Sequence, residues 1–324
     1  MTTPLVSVWL ITYNHELYIA EAIESVLRQQ TSFAVEIIIG EDCSTDGTRA
    51  IVQAYKARYP DRITLFLAEQ NMGMVPILRP THALCRGKYV AMLDGDDYWT
   101  DPLKLQKQVD QLERNPSTRF NAHKVSILHT SSLEIREAPE PRWSGQPGEL
   151  RLEDFIRHGI SVHTLSVVFR NDFGTLPEWY YELPYPDAAL LFMLLRQGGT
   201  AYYLTDNMGV YRVHRTGWFS SLTPQHRFAY GVYFLEKITA HLPARYHNLL
   251  AHELQHTYYE LLLLSLKKLE LSSATRHMLR LSSFRATTAT HRAKRWPHRL
   301  LLSSLTHTGR MLQGMRLGLG AVGS

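Results

Sequence analysis

The chain has 324 residues, and 44% of them are hydrophobic, which is enough for a substantial buried core. The formal net charge is +5, and only two cysteines occur, Cys43 and Cys85, so the composition excludes a disulfide-stapled secreted domain. The first residues lack the basic and apolar regions of a signal peptide, and no apolar run is long enough to span a membrane. We therefore expect a globular protein of the cytoplasm.

Apolar runs rich in β-branched residues alternate with helix-period segments through the first part of the chain. Strands are predicted at residues 6–12, 36–40, 63–67 and 89–93, and helices at residues 18–29, 49–59 and 75–85. Because the strands are mostly apolar throughout, they indicate a parallel sheet covered by helices on both faces, and hence an α/β fold. Residues 131–150 are rich in Pro and Gly and are predicted to form a surface connection over the ligand site.

The alternation of strands and helices stops after residue 222. Long helical segments are predicted at residues 228–240 and 246–271. We therefore expect one domain at residues 1–222 and a C-terminal helical extension with a basic tail at residues 223–324.

Positive charge is concentrated in that tail. Nine of the 35 Lys and Arg residues follow Glu270, whereas none of the 30 acidic residues does. The nine are Arg276, Arg280, Arg285, Arg292, Lys294, Arg295, Arg299, Arg310 and Arg316. Leucines interleave with them, which favours an interfacial helix on an anionic membrane over a nucleic-acid groove, since such a groove would need more aromatic residues. A helix packed on its own domain, or a disordered basic end, is the alternative.

Polar residues follow three of the predicted strands. Thr12-Tyr13-Asn14 follows the first strand, Glu41-Asp42 the second, and Asp94-Gly95-Asp96-Asp97 the fourth. Ligands of such sheets bind beyond the carboxyl ends of the strands, so these residues are candidates for a binding site. The third group sets several carboxylates on one tight turn, which suits a hard divalent cation that bridges two phosphates. An exposed acidic turn before a helix would also explain this sequence.

Four segments together resemble the family 2 glycosyltransferases, inverting enzymes with the GT-A fold. In the order of that family they are residues 7–14 (SVWLITYN), residues 41–48 (EDCSTDGT), residues 71–73 (NMG) and residues 87–99 (GKYVAMLDGDDYW). The resemblance covers roughly residues 5–220 and leaves the tail outside. It implies a nucleotide-diphosphate sugar, most often a UDP-sugar, as the donor.

The resemblance also assigns roles to individual residues. It implies that Asp42 accepts a hydrogen bond from the nucleotide base and that Thr12 and Tyr13, with Asn14 beside them, line the nucleotide pocket. Asp94 would face the ribose or a metal-bound water. His163 and Ser166 occupy a stretch that borders the donor or acceptor sugar in relatives.

The metal ligands and the general base are implied in the same way. Asp96 would ligate Mn²⁺ or Mg²⁺, and His214, in Tyr211-Arg212-Val213-His214, would complete the metal shell. Neutral imidazole suits Mn²⁺ better than Mg²⁺. Asp187 would be the general base, although many relatives carry a Glu-Asp pair where this chain has Pro186-Asp187. An N-cap role for Asp187 is the alternative.

These parts fit one reaction. A divalent cation stabilises the charge that develops on the leaving diphosphate, and one carboxylate takes the proton of the attacking hydroxyl. Direct displacement with a single base inverts the anomeric centre. The resemblance and the tail together imply a glycan or lipid-linked acceptor and a peripheral position on the inner face of the cell membrane, with no nucleic-acid partner.

Two further readings stay open. His252-Glu253-Leu254-Gln255-His256 matches the zinc-hydrolase pattern in which two histidines lie one helical turn apart, although an amphipathic helix explains it as well. A non-catalytic module that binds nucleotide sugars is the other alternative, and it would require a damaged set of carboxylates.

Overall fold

The computed structural model describes residues 3–141, 148–158, 162–215, 217, 222–267 and 270–283. Within these residues the strands are β1 (Val6–Thr12), β2 (Val35–Glu41), β3 (Ile63–Leu67), β4 (Tyr89–Asp94), β5 (Tyr98–Trp99), β6 (Thr118–His129), β7 (Glu134–Glu137), β8 (Glu149–Leu150), β9 (Val168–Arg170) and β10 (Thr200–Val213). The helices are α1 (Ile19–Leu27), α2 (Thr48–Arg58), α3 (Leu78–His82), α4 (Lys104–Arg114), α5 (Leu152–His158), α6 (Pro186–Leu195), α7 (Pro224–Thr239), α8 (His247–Lys267) and α9 (Leu271–Ser283).

One half of the sheet is parallel, in the order β3-β2-β1-β4. Its strands are almost continuously apolar, and Val8, Leu10 and Ile39 are completely buried. The predicted strands in this half agree with the observed ones to within one residue. A strand whose two faces are both covered by helices is apolar along its whole length, so the ends of the apolar run mark the ends of the strand. The predicted α/β class is confirmed.

The other half of the sheet is mixed, which the sequence did not predict. Strand β9 runs antiparallel between β4 and β6, β10 runs parallel to β6, and the two-residue strand β5 pairs antiparallel with β10. The short strands β5, β8 and β9 are too brief to show a periodicity in the sequence.

Two predicted segments differ from the structure. Part of the predicted surface connection at residues 131–150 is the strand β7, which pairs with the end of β6 because β9 covers only the beginning of that strand. Residues 142–147 lie outside the described residues. The helix predicted at residues 75–85 is limited to α3, because Leu84 and Cys85 close tighter turns with Thr81 and His82 before β4 begins.

The long helices predicted after residue 222 are present as α7 and α8, and α9 follows them. Thr223 caps α7 by accepting a hydrogen bond from the backbone N–H of His226, and Pro224 occupies the first turn. Contacts divide the chain into two compact units. One holds the described residues up to Leu222 with His241–Pro243, and the other holds Thr223–Ala240 and the described residues from Ala244 onward.

The basic tail lies mostly beyond the structure. Arg276 and Arg280 are on α9, and the other seven tail cations fall outside the described residues. The proposed membrane contact and the division into domains at residue 222 therefore stay predictions. Among the described helices, none combines the length and the apolar composition needed to cross a bilayer.

Two loops at the carboxyl ends of β1 and β2 are hydrogen-bonded to each other. The backbone N–H groups of Asn14 and His15 donate to Ser44 Oγ and Thr48 Oγ1, at 2.9 and 2.8 Å. Asp46 Oδ2 accepts from the N–H of Glu16 at 3.1 Å, and Asp46 Oδ1 accepts from that of Thr48 at 2.9 Å, in the first turn of α2. These bonds fix the path of the chain immediately after β1.

The double role of Asp46 gives a stability prediction. Asp46→Ala should lower the free energy of unfolding by about 1 kcal/mol, the usual net contribution of a hydrogen bond, because the variant loses the acceptor for the N–H groups of Glu16 and Thr48. Burial alone would raise the pKa of Asp46, but the hydrogen bonds from Thr48 and Glu16 outweigh it and lower that pKa. The stabilisation should therefore be complete above the unfolded-state pKa, about 4, and disappear as the pH falls through the lower folded-state value.

Urea unfolding at pH 7 and pH 3 measures both effects. Asp61→Ala, at an exposed turn position, is the matched control, and it should change stability by less than about 0.5 kcal/mol. Equal stability of the Asp46 and Asp61 variants at pH 7 would contradict the account of these loops.

Candidate metal and nucleotide site

The three polar strand ends predicted from the sequence lie side by side. In the parallel register Thr12 is opposite Glu41 on β2, and Ile11 is opposite Asp94 on β4. The loops that follow β1, β2 and β4 therefore leave the sheet at the same edge, where ligands of such sheets bind.

The turn after β4 is pressed against the beginning of the loop after β1. The N–H of Gly95 donates to the carbonyl of Ile11 at 2.9 Å. A Cβ at position 95 would lie 2.5 Å from Thr12 Oγ1 and 2.9 Å from His15 Nδ1, so only glycine fits there. This close approach brings the carboxylate that follows, Asp96, to the side chains of the β1 loop.

Asp96 lies between two histidines. Asp96 Oδ2 is 2.9 Å from His214 Nε2, at the end of β10, and 3.7 Å from His15 Nε2, in the loop after β1. Among the described residues, these three make the only group of at least three potential ligands whose donor atoms all lie within 4.8 Å of one another. Two imidazole nitrogens and one carboxylate oxygen fit Mn²⁺, and they fit Mg²⁺, which prefers oxygen, less well.

The protonation of this group favours a cation. Burial is the main cause that lowers the pKa of His15, so its imidazole is neutral at pH 7 and can act as a ligand. Burial alone would raise the pKa of Asp96, but the hydrogen bond with His214 and the neighbouring His15 lower it overall. The carboxylate is therefore ionised.

The other two carboxylates of the turn differ from Asp96. Burial raises the pKa of Asp94, and the charges of Asp96 and Asp187 add to the rise. Asp97 is 1% exposed, and its Oδ1 accepts a hydrogen bond from the backbone N–H of Arg212 at 2.8 Å. Asp97 therefore joins the turn after β4 to β10 through this hydrogen bond. Asp94, in contrast, is half-buried at the end of β4.

The residues predicted to line a nucleotide pocket have different surroundings. Tyr13 is 41% exposed, so its ring can contact a ligand. Thr12 is buried, and its hydroxyl lies 3.3 Å from His15 Nδ1. Asn14 adopts a left-handed backbone with a φ of 55°, and its Oδ1 accepts from the N–H of Thr45 at 2.8 Å, so this side chain joins the two loops.

Asp42 is buried and holds a neighbouring loop. Its Oδ1 accepts from the N–H of Met72 at 2.7 Å, and its Oδ2 accepts from the N–H of Gly73 at 2.9 Å. Gly73 has a φ of 87°, a conformation that favours glycine. Each carboxylate oxygen can accept more than one hydrogen bond, so Asp42 can still accept one from a nucleotide base while it binds Met72 and Gly73.

Asp187 is in the first turn of α6, one residue after Pro186. The N-cap of this helix is Tyr185, so the structure does not place Asp187 at the cap position. Burial raises the pKa of Asp187, while the hydrogen bonds it receives from the backbone of Ala188 and from Thr164 oppose the rise. The charge of Asp187 contributes to the raised pKa of Asp94, so the two carboxylates lie within electrostatic range of each other.

The two residues expected beside the sugar are arranged differently. The His163 ring lies 4.8 Å from that of Tyr211, centroid to centroid, and burial lowers the pKa of His163 to about 4, so it is neutral. Ser166 is completely buried, and its hydroxyl donates to the carbonyl of His163 at 2.6 Å. Ser166 therefore supports the local backbone instead of presenting its hydroxyl to a ligand.

Sequence reasoning missed His15 as a potential ligand. It comes directly after the segment at residues 7–14, but only the fold shows that its imidazole lies beside the Asp96 carboxylate. The structure does not place the two histidines of the zinc-hydrolase pattern in a candidate metal site. His252 and His256 are on α8, and neither belongs to a group of three potential ligands within the described part of the chain.

Comparisons with known proteins show the family of the chain and its fold. The family model described as Glycosyl transferase family 2 matches residues 7–168, half of the chain. The putative teichuronic acid biosynthesis glycosyltransferase TuaG of Bacillus subtilis is 31% identical over 215 residues, which cover 65% of this chain and 79% of that protein. Uncharacterized proteins of Mycobacterium bovis and Mycobacterium tuberculosis are 34% identical over 231 residues, which cover 68% of this chain. The chain spans 63% of the length of these proteins.

Two solved structures share the fold. The crystal structure of S. aureus TarS in complex with UDP has a TM-score of 0.57 and 20% identity, and it covers 78% of this chain and 72% of that one. The mannosyltransferase PcManGT from Pyrobaculum calidifontis, in complex with GDP-Man and Mn²⁺, has a TM-score of 0.55 and 17% identity, covering 96% and 81%. The GT-A fold expected from the sequence is confirmed.

The group of three ligands gives a metal-binding prediction. His15→Leu should weaken Mn²⁺ binding by about tenfold or more, because losing a direct ligand costs at least as much as losing a partner in the outer shell. Binding by the wild type should persist at pH 6.5, since burial lowers the pKa of His15, and weaken at lower pH as protons displace the ion.

Electron paramagnetic resonance of free Mn²⁺ measures both effects, with His158→Leu, at an exposed position at the end of α5, as the control. Unchanged Mn²⁺ affinity in His15→Leu would remove His15 from the site.

Proposed function

Because the chain belongs to glycosyl transferase family 2, we propose that it transfers a sugar from a nucleoside-diphosphate donor, a UDP-sugar first, to a hydroxyl group of a glycan or lipid-linked acceptor, with inversion. The observation that carries the proposal is the placement of Asp96 between His15 and His214 at the carboxyl edge of the sheet. A catalytic enzyme is favoured over a binding module because Asp187 lies in electrostatic reach of this edge.

Several carboxylates at this edge would repel a diphosphate. His15, Asp96 and His214 would hold a cation that offsets that repulsion, and Mn²⁺ would be preferred because two of the three ligands are imidazoles. When bound, such an ion supplies positive charge that stabilises the leaving diphosphate. The complex of PcManGT with Mn²⁺ supports this choice of ion.

The nucleotide is proposed to lie over the loops that follow β1 and β2. The exposed ring of Tyr13 offers a face to the base, and Asp42 accepts a hydrogen bond from it while holding the loop at Met72 and Gly73. Thr12 and Asn14 act through the loops they stabilise, and Asp94 faces the ribose or a metal-bound water. Uracil is proposed as the base from the UDP complex of TarS, whereas PcManGT holds GDP-Man.

Asp187 is proposed as the general base. Because burial raises its pKa, its carboxylate binds a proton more readily than an exposed aspartate does. The proton of the acceptor hydroxyl passes to the Asp187 carboxylate as the oxygen bonds to the anomeric carbon. The bond from that carbon to the phosphate oxygen breaks, its electron pair leaves with the nucleoside diphosphate, and the configuration inverts.

Asp187→Asn tests the proposal, because the amide keeps the size of the side chain and cannot take the proton. Transfer at saturating donor and acceptor should fall by about 10²–10⁴-fold, while Mn²⁺ and UDP binding persist. The readout is the release of nucleoside diphosphate from a panel of UDP-, GDP- and dTDP-sugars, with the melting temperature recorded for each variant.

Glu178→Gln is the matched control. Glu178 is a neighbouring carboxylate that is exposed and paired with Arg79, so this change should leave transfer within about twofold of the wild type. Near-wild-type transfer by Asp187→Asn would eliminate Asp187 as the base, whereas no transfer by the wild type from any donor of the panel would leave the binding-module alternative standing.

A further inference from the structure

Arg212 is a buried cation beside the proposed metal site. It lies on β10, two residues before His214, and is 7% exposed. A buried guanidinium is stable only when its charge and its N–H groups have partners. The groups that it contacts therefore show which part of the structure Arg212 fixes in place.

Its two inward bonds reach the turn that carries Asp96. The backbone N–H of Arg212 donates to Asp97 Oδ1 at 2.8 Å, and the side-chain Nη1 donates to the carbonyl oxygen of Asp96 at 2.7 Å. The residue therefore binds the Asp96 backbone and the side chain that follows it. These bonds leave the Asp96 carboxylate for His214 and His15.

The guanidinium is itself held on its other sides. Its central carbon, Cζ, lies over the ring of Tyr98, 4.3 Å from the ring centroid, and over that of Tyr18 at 5.1 Å, and Nη2 forms an ion pair with Glu21. The Tyr18 ring is also 5.1 Å from that of His214. A lysine has neither the planar fork nor the stacking surface, so it cannot make these contacts together.

We propose that Arg212 is a positioning residue of the metal site, which locks the turn at Asp96 and Asp97 so that the Asp96 carboxylate lies between His15 and His214. The inference rests on the proposed function, because it takes this group of three as the cation site. Arg212 touches neither the ion nor the sugar in this account, and it acts through the backbone of Asp96.

Arg212→Lys tests the inference, with Arg170→Lys as the matched control. Arg170 also donates to main-chain carbonyls, those of Leu112 and Thr118, and lies near a tyrosine ring, but it is opposite Tyr89, where β4 begins, at the far end of that strand from Asp94. Mn²⁺ affinity by electron paramagnetic resonance should fall about tenfold or more in Arg212→Lys, the magnitude typical of outer-shell partners, and less than about twofold in Arg170→Lys.

Asp96→Ala separates a failure of the proposed role of Arg212 from a failure of the proposed metal site. Loss of Mn²⁺ binding in Asp96→Ala with wild-type affinity in folded Arg212→Lys overturns the role of Arg212 and keeps the metal site. Wild-type Mn²⁺ affinity in Asp96→Ala overturns the site itself. If circular dichroism shows that Arg212→Lys is unfolded, Glu21→Gln decides, since Glu21 is half-exposed and, among the described residues, its carboxylate hydrogen-bonds to the guanidinium alone. It should weaken Mn²⁺ binding about threefold, and an unchanged affinity overturns the inference.

Discussion

The contact between Asp96 Oδ2 and His214 Nε2 joins residues 118 positions apart, and the rest of the site depends on it. Asp96 follows β4, whereas His214 follows β10, and β9 and β6 separate these strands in the sheet. The short strand β5 makes the contact possible. It begins two residues after Asp96 and pairs antiparallel with Gly209 and Val210 on β10, which carries the end of β10 to the turn.

The same turn collects negative charge, which is unfavourable without compensation. Asp94, Asp96 and Asp97 lie within four residues, and burial raises the pKa of Asp94 and of Asp97. Asp96 escapes this effect because His214 and His15 stabilise its charged form. The electrostatics therefore single out one ionised carboxylate, flanked by imidazoles, as the place where a divalent cation is most strongly favoured.

Much of the parallel half of the sheet could be predicted from the sequence, because its strands are continuous apolar runs separated by helix-period segments. Asp96 and His214 could be proposed as ligands from the family resemblance that the motifs carry. His15 could not, because its contact with Asp96 depends on the close approach that Gly95 allows. Likewise, the hydrogen bonds of Asp42 to Met72 and Gly73 join segments 30 residues apart, and no local pattern signals them.

Asp96 is proposed to bind the cation that holds the nucleotide. Calorimetric titration of UDP, GDP and dTDP into the full chain, with and without Mn²⁺, tests it in the wild type and in Asp96→Ala. The account predicts that Mn²⁺ tightens binding of the preferred nucleotide in the wild type and leaves it unchanged in the variant. Equal tightening by Mn²⁺ in both proteins would contradict it.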